Sequence, residues 1–323
     1  MNTAIKLVSY VVGLAVVFGG ALGVGKVVGP VGAPPVEDHA AMTAPAESTG
    51  HGEHATEQAK DDTPGGLQVS EKGYTLTPLT ATVKPGEPED FRFTVTGPDG
   101  KPVTDYQVEH DKKLHFIVVS RDLDSFQHLH PEEEGGGVWS VKLELPAAGT
   151  YRAFADFVPA GGSGLTLGTD LLVAGDYAPK ALPQSSRTAS VDGYQVTLDG
   201  DLDPGQASKL TLKVSKDGKL VTDLQPYLGA YGHLVALRAR DLAYLHVHPD
   251  GEPGDGKTKA GPEIVFYAEV PSDGDYRLFL DFQHEGEVRT ADFTLGTGQT
   301  ATAAPTSTQT PTATPSGHGD HSH

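Results

Sequence analysis

Cysteine is absent from the 323 residues, and there are only two methionines and one tryptophan. No cysteine means no disulfide, no lipidated cysteine and no thiolate metal site, and two methionines cannot form a Met-rich cluster for a soft metal. Basic residues are also scarce: 24 Lys and Arg stand against 43 Asp and Glu, a formal charge of −19. That balance argues against a nucleic-acid partner, which needs a basic footprint for its phosphates. With 40 glycines and 24 prolines the chain is rich in turns and poorly suited to a helical bundle. What it does have is 14 histidines. Any chemistry must therefore rest on imidazole, carboxylate or hydroxyl groups.

Leu7 to Gly25 carries no charge and is bracketed by Lys6 and Lys26, which is near the length needed to span a bilayer as a helix. It reads as an uncleaved anchor or a signal peptide. The best small-residue cleavage candidate, Val31-Gly32-Ala33, would leave Pro34 directly after the cut, which favours the anchor. Residues 1–33 are thus assigned as a transmembrane or signal segment, with Lys6 inside by the positive-inside bias and the bulk of the chain outside. Cleavage would instead leave a secreted protein. Residues 34–66 lack an apolar period and read as a disordered tether, and the Thr/Ala/Pro-rich stretch 297–323 reads as a disordered tail. His39, His51 and His54 lie in the first, and His318, His321 and His323 in the second. Mobile imidazoles at such spacing would serve as weak metal-collecting arms or as polar filler.

Between the tails the sequence repeats. Asp99-Gly100-Lys101 corresponds to Asp217-Gly218-Lys219, and LHFIVVSRDLDSFQHLHP from Leu114 to GHLVALRARDLAYLHVHP from Gly232, both at an offset of 118. YRAFADF from Tyr151 corresponds to YRLFLDF from Tyr276. Two domains follow, 67–176 and 177–296. FRFTVTG from Phe91 and LTLKVSK from Leu210 alternate apolar and polar residues before an Asp-Gly turn, the mark of half-buried strands. The expected fold is all-β: two tandem immunoglobulin-like antiparallel β-sandwiches after an N-terminal transmembrane helix, with disordered tails.

Each repeat carries His-x12-His-x-His-Pro: His115, His128 and His130 in the first, His233, His246 and His248 in the second. A spacing of two along a strand places His128 and His130 on one face. A hairpin around Arg121–Ser125 would set His130 opposite His115, so that three imidazoles converge. Such a set suits Cu(II) or Zn(II), given the lack of sulfur donors. Asp156 and Asp281 stand at equivalent strand positions, either as fourth ligands, as carboxylates that orient a ligating imidazole, or as surface acids paired with a neighbouring arginine. His110 and His284 are the two histidines outside this scheme; each is present in one repeat only.

VEHDKKLHFIVVSRDLDSFQHLHP and PYLGAYGHLVALRARDLAYLHVHP, with the YRAFADF and YRLFLDF segments, resemble exported bacterial heavy-metal-binding proteins of the YtkA/FixH-like kind. The resemblance covers both repeats and the N-terminal segment but not the tails. It implies an extracytoplasmic β-sandwich concerned with copper or other heavy metals, similar in architecture to CopC-type copper carriers. The first functional expectation is a membrane-anchored protein that buffers a divalent metal or delivers it to a metal transporter or other membrane protein. Catalysis is not expected, because no phosphate loop, GxSxG or HExxH motif occurs. The competing expectation is a cell-surface interaction module with structural histidines, ahead of a copper or zinc metalloenzyme with an open coordination position.

Overall fold

Period-two alternation, cut short by Gly and Asp-Gly turns, sets the strands of the computed structural model, which describes residues 63–245 and 247–298. The first repeat holds β1 (Ser70–Glu71), β2 (Tyr74–Pro78), β3 (Glu89–Thr96), β4 (Tyr106–Gln107), β5 (Leu114–Ser120), β6 (Phe126–Leu129), β7 (Glu132–Gly135), β8 (Val138–Leu143), β9 (Gly149–Pro159) and β10 (Leu165–Val173). The second holds β11 (Thr188–Val191), β12 (Tyr194–Asp199), β13 (Ala207–Lys216), β14 (Lys219–Leu220), β15 (His233–Arg238), β16 (Tyr244–Leu245), β17 (Val247–Pro249), β18 (Glu263–Glu269), β19 (Asp275–His284) and β20 (Glu287–Gly296). Among the described residues no helix is long and apolar enough to cross a membrane. The expected N-terminal span and most of both the tether and the C-terminal tail lie outside the described residues.

Each repeat is a sandwich of two antiparallel sheets. In the first, β1-β2-β3-β8-β7 faces β10-β9-β5-β6, with β4 added to β9; in the second, β11-β12-β13-β18-β17, with β14 on β13, faces β16-β15-β19-β20. The β13–β14 hairpin turns through Asp217 and Gly218, both at positive φ, as a tight two-residue connection requires. Tyr151 donates its hydroxyl hydrogen to the Ala147 carbonyl (2.9 Å), and Tyr276 does the same to Ser272 (2.7 Å). This corner, a tyrosine bonding to backbone four residues upstream, is a mark of immunoglobulin-type sandwiches and is kept in both repeats.

The cores follow the alternation. Phe91, Phe93 and Phe116 stack inside the first repeat with ring centroids 4.7–6.1 Å apart. Tyr194, Phe266, Phe282 and Phe293 fill the second. β5 and β15 depart from the pattern, since all of β5 is buried and only Arg238 of β15 is not. A strand without a wet face must be covered on both sides. Leu114, Phe116 and Val118 point into their own core, while Ile117 and Val119 join Phe154, Val235, Leu237 and Phe279 in a third cluster between the repeats.

The repeats therefore pack face to face through the sheets holding β5 and β15, and they do so reciprocally. Phe126 stacks on Phe279 at 4.1 Å with rings 5° from parallel, and the equivalent pair, Tyr244 and Phe154, meets at 5.5 Å. Residues 63–66, assigned to the flexible tether from sequence, lie along this seam. Tyr244 N donates to Gly65 O (2.9 Å), Gly66 N to Thr166 O (2.7 Å), and the Arg152 guanidinium to Gly66 O (2.7 Å). Only glycine fits at Gly66, with φ +74° and a would-be Cβ 2.5 Å from the Phe154 ring.

Candidate metal centre

Strand parity places the histidines. On β5 the residues facing the second repeat are His115, Ile117 and Val119; on β15 they are His233, Val235 and Leu237; β9 adds Asp156 and β19 adds Asp281. His115 pairs with Asp156 across β5–β9, and His233 with Asp281 across β15–β19. β6 runs back along β5 with His128 opposite Ile117, and one more step sets His130 level with His115. The seam thus collects polar residues at one end and packs aromatic and branched ones at the other.

His115, His128 and His130 each present a ligand nitrogen within 4.8 Å of the other two. Their ring centroids are 5.3, 5.2 and 4.8 Å apart. Three imidazoles sharing one tetrahedral ion at nitrogen distances of 2.0–2.1 Å would have centroids roughly 5.2 Å apart. The set is close to that spacing already.

His115 Nε2 lies 3.2 Å from the Glu109 carbonyl, which can only accept, so Nε2 carries the hydrogen and Nδ1 a lone pair. His128 Nδ1 lies 2.8 Å from Asp281 Oδ2, which can only accept, so that nitrogen donates and in the neutral ring Nε2 carries a lone pair. The two lone-pair nitrogens, His115 Nδ1 and His128 Nε2, face one another at 3.1 Å. Neutral imidazoles so placed repel unless a proton or a cation stands between them. His130 Nε2 is buried and has no hydrogen-bond partner.

A proton is disfavoured on His115 and on His130. Burial, and then the neighbouring His128, push His115 down to about 3. His130 is also lowered to about 3, again by burial first and His128 second. His115 and His130 are thus neutral at physiological pH, the form that binds a metal. Burial likewise lowers His233 to about 4. Its Nε2 donates to the Tyr227 carbonyl at 2.9 Å, matching the bond of His115 to Glu109.

The other sequence candidates are distributed as follows. His233 lies beside the triplet, its ring 6.2 Å from His128 and 6.5 Å from His115. It lines, with His110, His115, His128 and Asp156, a small cavity of about 40 Å³. His246 lies outside the described residues. His248 departs from its counterpart His130: it is exposed on β17, opposite Tyr267, because β17 pairs with β18 in the outer sheet. Asp156 accepts from Thr166 Oγ1 (2.8 Å) and faces the Tyr244 hydroxyl (3.4 Å). Asp281 accepts from Thr290 Oγ1 (2.5 Å) and, rather than serving only its own repeat, orients His128 of the first. A separation of 153 residues hid that contact from any local pattern.

His110, at φ +48° in the Glu109–Lys112 turn, sets its ring 5.2 Å from His233 and 6.1 Å from His115 and is the exposed member of the cavity wall. His284 is elsewhere, buried between the Tyr194 hydroxyl (2.7 Å) and Asp223 (3.1 Å).

The family model of a domain of unknown function, DUF8832, matches residues 68–171 and 189–299, one copy per repeat. The chain belongs to that family. No curated protein matches it. Among solved structures, the chain is similar to the Escherichia coli adhesin FdeC (14% identity, 71% of this chain and 65% of that one, TM-score 0.25). It is also similar to the D0-D1 domain of Intimin (15%, 68% and 96%, TM-score 0.20). A third is a putative membrane anchored protein from Corynebacterium diphtheriae (10%, 72% and 60%, TM-score 0.21). The chain spans just under two thirds of the FdeC chain.

Proposed function

We propose that this member of the DUF8832 family is a metal-binding protein whose His115, His128 and His130 hold one divalent cation, Cu(II) or Zn(II). The observation that carries the reading is the opposed pair of lone-pair nitrogens, 3.1 Å apart, with the orphaned nitrogen of His130 beside them. A cation would turn the repulsion into coordination and give His130 a partner. Nitrogen donors without sulfur suit these borderline ions. The protein binds and releases the ion rather than transforming a substrate. On this reading the uncharged stretch from Leu7 to Gly25 anchors the chain, the sandwiches stand outside the membrane, and the ion is buffered there or passed to a membrane transporter.

A second reading has a specific observation in its favour. His128–Asp281 and His233–Tyr227 are complete hydrogen bonds without any ion, as expected if the histidines simply tie a surface interaction module together. Calorimetric titration of the full chain separates the two, with the six tail histidines replaced by glutamine to remove background binding. Stoichiometric binding of Zn(II) or Cu(II), lost in His128→Ala and in His130→Ala, supports the metal centre. Absence of binding in the parent leaves the interaction module.

A further inference from the structure

The three converging imidazoles belong to the first repeat, but the carboxylate that fixes one of them belongs to the second. His128 and Asp281 have side chains only 5% exposed each, and their 2.8 Å bond crosses the seam. Asp281 is itself held by Thr290, the next strand over in its own sheet. A ligating histidine whose far nitrogen donates to a carboxylate has its tautomer and ring direction set by that carboxylate. Here the Nδ1–H form is selected, which turns Nε2 toward His115. His233, from the same repeat as Asp281, adds a wall to the cavity beside the triplet.

We propose that the metal centre is joint property of the two repeats: Asp281 is the positioning residue for His128, and a single cation bound once per chain locks the repeats together. This rests on the metal-binding reading above. If docking of the second repeat raises affinity for the ion, the ion must tighten docking by the same factor. One ion is favoured over two because, among the described residues, His115, His128 and His130 are the one group whose ligand atoms converge. The exposed His248 also leaves the second repeat without an equivalent of His130 in the seam.

The test uses the full chain with the tail histidines replaced, and Zn(II) alone as the probe. Calorimetry should give one ion per chain, and Asp281→Ala should weaken binding by about 10- to 100-fold. Asp281→Asn keeps an acceptor in place and should recover part of the loss. In ¹⁵N-labelled protein without metal, the imidazole of His128 should be the Nδ1–H tautomer, and Asp281→Ala should abolish that preference. A merely structural carboxylate would not move this signal. Two ions per chain, or Asp281→Ala binding as tightly as the parent while His128→Ala abolishes binding, would overturn the shared centre and leave the metal-binding reading standing. A parent that binds nothing removes both. Should Asp281→Ala not fold, the metal-free parent decides the matter, since an Nε2–H tautomer at His128 refutes the role.

Discussion

Acid should destabilise the metal-free protein steeply, and the seam sets the size of the effect. His115 and His233 are each 9% exposed and are pushed down to about 3 and about 4, from an ordinary value of 6.5 in the unfolded chain. Between those limits the unfolded chain binds protons that the folded one refuses. Stability is therefore complete above about pH 6.5 and falls as pH drops toward the folded values. At about pH 5 each of the two buried imidazoles costs about 2 kcal/mol, about 4 kcal/mol together, with a smaller share from the half-buried His130. Against a typical total of about 5–15 kcal/mol, that is a large fraction. Denaturant titrations at about pH 7.5 and about pH 5 would read it, with the far-UV spectrum and the single tryptophan, Trp139, buried at 3%, as probes. The midpoint should fall while the slope stays the same. Equal midpoints at the two pH values would mean the seam imidazoles are already charged in the native state, and the lone-pair argument for a cation would fail with them.

Other outcomes follow from the same geometry. Phe279→Ala removes a 3% exposed ring stacked on Phe126 and should cost about 3–5 kcal/mol, splitting a single thermal transition into two as the repeats lose their contact. Gly66→Ala sets a methyl group against the Phe154 ring at a left-handed φ and should cost about 1–3 kcal/mol, read as faster proteolysis near residues 63–67. His248→Ala, on the outer sheet, should leave metal titrations at their parent values, whereas His130→Ala should abolish binding.

Much of this was readable from sequence where the information is local. The repeat, the all-β character and the hairpin that brings His130 level with His115 rest on spacing and period, and residues close in sequence keep their register. The seam left a signal that strand alternation alone does not interpret: HFIVVS and HLVALR are apolar on both parities, which calls for cover on both faces. What no spacing carries is which surface supplies that cover. The pairing of His128 with Asp281 depends on two sheets meeting at one angle, and the difference between His130 and His248 depends on whether the strand after the hairpin stays with the inner sheet or crosses to the outer one. Both are outcomes of packing.

The reciprocal contact of Phe126 with Phe279 and Tyr244 with Phe154 is the contact that two separate copies would make about a two-fold axis. Here the copies are joined by the 14 residues between β10 and β11. A short tether of that kind holds its ends at an effective concentration in the millimolar range. Separate copies would assemble their seam only when abundant, and would come apart on dilution into an open medium. The fused chain carries its own partner, so occupancy of the centre would follow the free metal and not the amount of protein.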